Sequence, residues 1–176
     1  RLLRNQGMER RYENEIVGFN ARMTDIAAAI GRVQLGRVAG WTARRRANAA
    51  VLSAGLSAEL SAELSADLSG GLADEAPGVT LPEVAEGAEH VYHQFTIRTR
   101  DRDTVQARLS EAGVGSGVYY PIPTHRLPSF ADAAGGVDLP VTERACREVL
   151  SLPVHPALSD ADLERVVAAV SKAVSA

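Results

Sequence analysis

A polar turn that leads directly into a long stretch of helical pattern determines much of the architecture open to this chain. After the turn, apolar residues recur at close to the 3.6-residue period of a helix. They are Met23, Ile26, Ala27, Ile30, Val33, Val38 and Trp41. The hydroxyl of Thr24 is suited to cap this helix, and Asp25 lies where the helix dipole favours an acid. The pattern predicts one long helix from residue 24 to at least residue 50.

Two side chains just before this helix are candidates for binding an anion. Asn20 offers a donor amide and Arg22 a guanidinium at the positive end of the helix dipole, which is a favourable place for a phosphate. The alternative is that Asn20 only caps a turn and that Arg22 is a solvated charge. Spacing alone leaves both interpretations open.

A tandem repeat of four residues continues the helical pattern. Leucines recur at every fourth position of residues 52–72, within units such as LSAG, LSAE and LSAD. Each step of four overshoots a helical turn by about 40°, so the leucine stripe winds round the helix and fits no coiled-coil heptad. We expect an outward extension of the helix that ends at Gly70 and Gly71. The alternative is a helix that binds a partner.

The second half of the chain alternates strand and helix patterns. Strands are predicted at residues 79–81, 91–99, 114–120 and 151–154, and helices at 103–112, 140–150 and from Ser159 onward. Residues 8–19 are expected to be irregular. Alternation in the second strand places His93 on the same side as Phe95 and Ile97. The pattern predicts an α/β fold with a small sheet covered on one face.

Composition excludes several classes of protein. Residues 1–50 hold ten arginines against four acidic residues, a net charge of +6 in a chain of net charge −3, which suits a phosphate-rich ligand or equally a solvated helix face. Aromatic residues make up 5% of the chain, which argues against a module that stacks nucleic-acid bases. No apolar run approaches membrane length. The single cysteine, Cys146, excludes an internal disulfide and favours the cytoplasm. No metal site is predicted.

Five ordered blocks of sequence resemble a known family. They are LRNQGM at residues 3–8, RYENEIVGFNARM at 11–23, HVYHQF at 90–95, GSGVYYPIPTH at 115–125 and LSLPVHP at 150–156. Together they resemble the DegT/DnrJ/StrS family of pyridoxal-phosphate aminotransferases, which act mostly on nucleotide-linked keto-sugars. The resemblance implies the C-terminal part of a fold-type I transferase. Residues 1–22 would be the tail of its large cofactor domain, 23–76 a long interdomain helix, and 77–176 a small α/β domain.

The resemblance also implies roles for the candidate residues. Asn20 would contact the pyridoxal phosphate of the neighbouring subunit in a homodimer with shared active sites, and Arg22 is a weaker candidate beside it. The sugar nucleotide would be contacted by residues on two segments. These are Tyr92, His93, Tyr119, Tyr120 and His125. The alternatives are that His93 is a core residue and that the two tyrosines pack the sheet edge.

The catalytic lysine is the main departure from the family pattern. The family holds its cofactor as a Schiff base on a lysine, whereas the only lysine here, Lys172, lies in the last predicted helix and matches no family motif. No catalytic residue is therefore assigned. We expect a fragment that lacks the lysine-bearing N-terminal half and is inactive alone. The rival interpretation is a non-catalytic relic of the family or an interaction module.

Overall fold

The chain forms two compact units, which comprise Arg1–Gly40 and Trp41–Ala176. The computed structural model describes residues 2–10, 13–21, 23–67 and 78–175. Helices and strands are both present, as predicted, and all pairing within the sheets is antiparallel.

The first unit opens with an irregular hairpin, where the sequence predicted no regular structure. Strand β1 (Met8–Arg10) pairs with β2 (Glu13–Asn14). Two glycines allow the backbone of this hairpin to close on itself. Gly7 has φ +74°, and a Cβ atom there would lie 1.7 Å from the carbonyl oxygen of Ile16. A Cβ atom on Gly18 would lie 2.2 Å from the backbone nitrogen of Gly7. Any side chain at either position would push the two strands apart.

The predicted long helix is divided in two. Helix α1 is Asp25–Leu35 and helix α2 is Val38–Asp67, so the prediction of one uninterrupted helix is wrong. At the break, the N–H of Arg37 donates to the carbonyl oxygen of Gln34 at 2.8 Å, a bond of the tighter 3₁₀ type. Gly36 stands at this point, and glycine is a poor helix former. The predicted cap is confirmed, because Thr24 Oγ1 accepts from the N–H of Ala27 at 3.2 Å.

The second unit is built on a three-stranded sheet. Its order is β3 (Val79–Thr80), β4 (Phe95–Thr99) and β5 (Val149–Leu152). In the β4–β5 pair, Phe95 lies opposite Leu152 and Arg98 lies opposite Val149. Four helices complete the unit with α2, together with 3₁₀ turns at Thr124–Arg126 and Pro128–Phe130. These helices are α3 (Arg102–Glu111), α4 (Ala131–Ala134), α5 (Pro140–Glu148) and α6 (Asp160–Ser175).

One hydrophobic core joins the sheet to its helices. Its fully buried members include Phe95 and Ile97 from β4, Leu109 from α3 and Val170 from α6. Helix α6 follows Ser159, as predicted, and this residue caps it: Ser159 Oγ accepts from the N–H of Asp162 at 3.2 Å. In return, Asp162 Oδ2 accepts from the N–H of Ser159 at 2.9 Å, which completes a reciprocal cap.

The leucine repeat begins inside this core. Leu52 and Leu56 are both fully buried, so the expected outward extension is wrong for the first two leucines. Helix α2 continues to Asp67, and the predicted end of the repeat at Gly70 and Gly71 lies outside the described residues. The leucines of the first two repeats therefore pack within the compact unit Trp41–Ala176.

Two predicted strands are shortened or lost. Residues 114–120 pair with the sheet through a single antiparallel bridge between Gly117 and Ser151. The strand predicted at residues 91–99 begins only at Phe95, because Tyr92 has φ +48° and interrupts the extended backbone. The last predicted strand is shifted by two residues, to Val149–Leu152.

Candidate functional site

The hairpin of the first unit fixes the backbone on both sides of Asn20. Asn20 forms an antiparallel bridge with Asn5, and the N–H of Ala21 donates to the carbonyl oxygen of Arg4 at 3.0 Å. The side chain of Asn20 is exposed, four residues before the cap of α1. Arg22 lies outside the described residues. The geometry thus presents the Asn20 amide at the surface, on a backbone held by cross-strand hydrogen bonds.

Helix α1 carries an apolar stripe that the first unit leaves exposed. Ile26, Ile30 and Val33 are all more than half exposed, and none of the described residues of α1 is buried. Phe19 and Met23, which precede the helix, are exposed as well. Isolated apolar side chains at a surface are common, but a contiguous group of this size marks a contact surface.

In the second unit, a turn before β4 presents His93. Arg46 on α2 holds this turn: its Nε donates to the carbonyl oxygen of His90 at 3.0 Å, and its Nη2 donates to Glu89 Oε2 at 3.0 Å. His90 Nδ1 in turn accepts from the N–H of Tyr92 at 2.9 Å. The ring of Tyr92 then packs towards the core, 6.1 Å from that of Phe95.

His93 itself is exposed. The alternative that it is a core residue is therefore wrong. That alternative assumed an unbroken strand, whereas the turn at Tyr92 reverses which side chains face inward. The structure leaves His93 able to contact a ligand.

Tyr119 and Tyr120 are the most prominent side chains of the next segment. They are 50% and 72% exposed, and their rings meet edge to face with centroids 5.8 Å apart. The side chain of Tyr119 covers Gly117, where an added Cβ would lie 2.8 Å from two ring carbons and from the hydroxyl oxygen. The space beside Gly117 is therefore occupied by Tyr119.

His125 is bound to helix α5. Its side chain is 8% exposed, and Nε2 lies 3.0 Å from Glu143 Oε1. Arg126 donates to the same oxygen from Nε at 3.0 Å and from Nη2 at 2.6 Å. The hydrogen bonds from His125 and then Arg126 hold the pKa of Glu143 below its ordinary value, because they favour the charged carboxylate. Nε2 of His125 therefore carries a hydrogen, since an ionised carboxylate only accepts.

Ser151 links the two candidate segments through the sheet. Its hydroxyl lies 2.8 Å from that of Thr96 on β4, while its backbone exchanges hydrogen bonds of 3.0 and 2.7 Å with Gly117. The antiparallel bridge directs the chain after Gly117 towards Val149, whereas Tyr92 and His93 precede Phe95 at the opposite end of this pairing. The structure therefore places the two segments on one sheet, at different levels along β5.

Comparisons with known proteins match both the sequence and the fold. The model of the DegT/DnrJ/EryC1/StrS aminotransferase family matches residues 1–171.

The chain belongs to this family.

One sugar transaminase and two solved structures illustrate the match. The dTDP-3-amino-3,4,6-trideoxy-alpha-D-glucose transaminase of Streptomyces venezuelae is 36% identical over 97% of this chain, which spans 41% of that protein. The structure of S. venezuelae DesV in complex with a ketimine intermediate aligns with a TM-score of 0.85 and 33% identity. That alignment covers 100% of this chain and 43% of DesV. Bacillus subtilis NtdA, solved with bound cofactor PMP, aligns with a TM-score of 0.77 and 26% identity over 99% of this chain and 38% of NtdA.

The chain thus spans less than half the length of the DegT/DnrJ/EryC1/StrS proteins it matches. Its residues fit part of what a family cofactor requires. The exposed Asn20 amide is a suitable donor to a phosphate. Lys172 is exposed on α6 and lies just beyond the residues that the family model matches.

Within the described residues, two other kinds of site are not found. No group of three or more His, Cys, Asp or Glu side chains there could hold a metal ion. Among the helices that the structure describes, none is long and apolar enough to cross a membrane.

Sequence reasoning missed Arg46 and Glu143. Both act through contacts between residues distant in the chain, and neither stands in a motif. Arg46 is one of three consecutive arginines, and only the fold distinguishes it from Arg45. Glu143 lies in the first turn of α5, where an acid favours the helix dipole in any case.

Proposed function

We propose that this chain is the C-terminal portion of a pyridoxal-phosphate-dependent aminotransferase. The enzyme would transfer an amino group from an amino acid to a nucleotide-linked keto-sugar, in the cytoplasm. The observation that carries this proposal is the match, in sequence and in fold, of nearly the whole chain to less than half of a sugar transaminase. The chain would be inactive by itself, because Lys172 is its only lysine and does not fit the cofactor-binding role.

The first unit would act at the active site of a second subunit. We propose a homodimer in which Asn20, with Arg22 beside it, binds the cofactor phosphate of the neighbouring subunit. Residues 1–22 would belong to the large cofactor domain, residues 23–76 to an interdomain helical segment that includes α1 and α2, and residues 77–176 to the small domain. The exposed apolar stripe of α1 supports this assembly, because exposed apolar surface of this kind is typical of places where one polypeptide packs against another.

The second unit would line the substrate side of the site. We propose that two segments at different levels along β5 contact the sugar nucleotide. Tyr92 and His93 lie on one segment, and Tyr119, Tyr120 and His125 on the other. When bound, the cofactor supplies the electron sink that makes the amino-acid Cα–H acidic. These residues would bind and orient the substrate rather than carry out the proton transfer.

The test is a transamination assay on the full-length gene product. The purified protein is incubated with pyridoxal phosphate, an amino donor and a set of nucleotide-linked keto-sugars, and the products are identified by mass spectrometry. We expect conversion of one of these ketones to an amine. If the gene encodes no upstream lysine segment and the product converts none of the ketones, the chain is a non-catalytic member of the family.

A further inference from the structure

The loop that carries Tyr119 and Tyr120 is fixed at both of its ends. At one end, Gly117 exchanges two backbone hydrogen bonds with Ser151 of β5. At the other, His125 and Arg126 both bind Glu143 of α5. The seven residues between these anchors, 118–124, include the two exposed tyrosines.

Within the loop, Val118 packs against the hydrophobic core, and two prolines stiffen the residues that follow the tyrosines. Pro121 and Pro123 restrict the backbone, because each ring fixes φ near −65°. The backbone between Tyr120 and His125 therefore has less freedom than a loop without proline. Ile122 is exposed and does not secure the loop to the core.

Because there is open space beside His125, its side chain needs the hydrogen bond to Glu143 to stay in place. An open cavity of about 360 Å³ adjoins this residue, and its lining includes Phe130, Leu139 and Thr142. A side chain bordered by a cavity can change rotamer more easily than one in a close-packed core. The bond from Nε2 to Glu143 opposes such a change.

We propose that Glu143 is a positioning residue for substrate binding. Through His125 and Arg126, it holds the loop that presents Tyr119 and Tyr120. The inference rests on the proposed function for the identity of the substrate, a sugar nucleotide. Glu143 is 22% exposed and lies on α5 behind the loop, so it acts on the tyrosines through the loop and not by touching the ligand. Charge-assisted hydrogen bonds are stronger than hydrogen bonds between neutral groups, which suits an anchor that must keep the loop in place when a substrate binds.

Helix α5 also offers a matched control. Glu148 lies on the same helix, is similarly protected from solvent, and accepts hydrogen bonds from Arg98 on β4. Its removal deletes a carboxylate–guanidinium pair from the same helix without touching the loop. Glu143→Gln keeps the shape and one acceptor oxygen, whereas Glu143→Ala removes the anchor entirely.

The first measurement uses the 176-residue chain and needs no activity. Amide hydrogen exchange is followed at residues 118–127 in the unmodified chain and in the three variants, Glu143→Ala, Glu143→Gln and Glu148→Ala. We expect exchange in this loop to accelerate about ten- to a hundredfold in Glu143→Ala and less in Glu143→Gln, while Glu148→Ala leaves the loop unchanged. The ¹⁵N signal of the His125 Nε2–H is expected to shift in both Glu143 variants only. Unchanged exchange in both Glu143 variants would overturn the proposal.

The second measurement uses the full-length gene product and separates KM from kcat. If Glu143 positions the tyrosines, Glu143→Gln and Glu143→Ala should raise KM for the nucleotide-sugar at least several-fold while kcat changes less, and Glu148→Ala should change neither. Faster exchange with an unaltered KM would show that the loop is held but that its position is irrelevant to the substrate, which contradicts the proposal. A wild-type enzyme that converts no nucleotide-sugar would refute the proposed function and the substrate part of this inference, while the exchange data would still decide whether Glu143 holds the loop.

Discussion

Gly55 on helix α2 lies directly against Val167 on helix α6. A Cβ atom added to Gly55 would be 2.8 Å from Val167 Cγ2 and 3.1 Å from Cγ1. Gly55 occupies the fourth position of the LSAG unit, where the following units carry Glu59, Glu63 and Asp67. The repeat therefore places glycine, its smallest residue, where helices α2 and α6 touch. The units beyond this contact carry an acidic residue at the same position.

Gly55→Ala is expected to destabilise the second unit by about 1 kcal/mol or more, because the added methyl group overpacks the contact with Val167. Gly40→Ala is the control: it lies on the same helix with no atom within 4 Å of the new Cβ. At position 40, the higher helix propensity of alanine should raise the free energy of unfolding by about 0.5–1 kcal/mol. Urea denaturation checks both values. If combining Gly55→Ala with Val167→Ala gives no favourable coupling, the contact is not responsible for the loss.

The buried leucines of the repeat give a second prediction. Leu56→Ala should cost about 2–5 kcal/mol of unfolding free energy, as expected for a leucine removed from a packed core. Glu59→Ala, one repeat unit away from Gly55 and exposed, should change stability by less than about 0.5 kcal/mol. Deleting a whole four-residue unit after Glu59 is expected to cost little. A loss of several kcal/mol from that deletion would show that the later leucines are buried too.

Acid should destabilise the fold through two carboxylates. Hydrogen bonds from His125 and Arg126 lower the pKa of Glu143, and those from the hydroxyl and N–H of Ser159 lower the pKa of Asp162. Each folded-state pKa lies below its unfolded value, so the unfolded chain binds more protons in this range and stability rises with pH. The contribution is complete above the ordinary pKa values of 4.5 and 3.8 and is lost as pH falls through the lowered ones.

Urea denaturation between pH 7 and pH 2.5 measures this loss. Glu143→Gln and Asp162→Asn should each reduce the slope of stability against pH below about pH 4.5, whereas Glu164→Gln, an exposed acid on α6, serves as the control for losing a carboxylate. Parallel curves of stability against pH for the unmodified chain and its three variants would contradict the assignment of the acid sensitivity to Glu143 and Asp162.

The isolated chain should not retain pyridoxal phosphate. With Lys172 as its only lysine, exposed on α6, we expect no visible absorption band that survives dialysis after the cofactor is mixed with the chain. The spectrum before and after dialysis is the measurement, with Lys172→Ala as the control. A stoichiometric band that disappears in Lys172→Ala would mean that this chain holds the cofactor covalently by itself.

The sequence was most informative where structure depends on neighbouring residues. The Thr24 cap, the helix that begins near residue 102 and the helix that follows Ser159 all follow from local hydrogen bonding and periodicity, and the structure confirms them. The family resemblance, carried by five spaced blocks, predicted the fold of nearly the whole chain.

Features that depend on distant contacts could not be predicted in this way. The left-handed backbone of Tyr92 is stabilised by His90 and by Arg46, 44 positions before that histidine. Simple alternation therefore gave the wrong side for His93. Glu143 was invisible for the same reason, since its partners are 17 and 18 residues away and share no motif with it. Which tyrosines reach solvent likewise depends on the single bridge at Gly117.

We propose that this chain completes the active site of a partner subunit. Complementation in mixed dimers tests this proposal most directly. In the full-length gene product, Asn20→Ala should weaken cofactor retention about ten- to a hundredfold, because a hydrogen bond to a charged oxygen contributes about 1.5–3 kcal/mol. This variant is then mixed with a subunit whose Schiff-base lysine has been replaced by alanine, and dimers carrying both subunits are isolated by their tags. One site of such a dimer carries both lesions and the other carries neither, so we predict that activity partly returns. Mixed dimers that form but recover no activity would contradict the account, because Asn20 would then act within its own subunit or not on the cofactor at all.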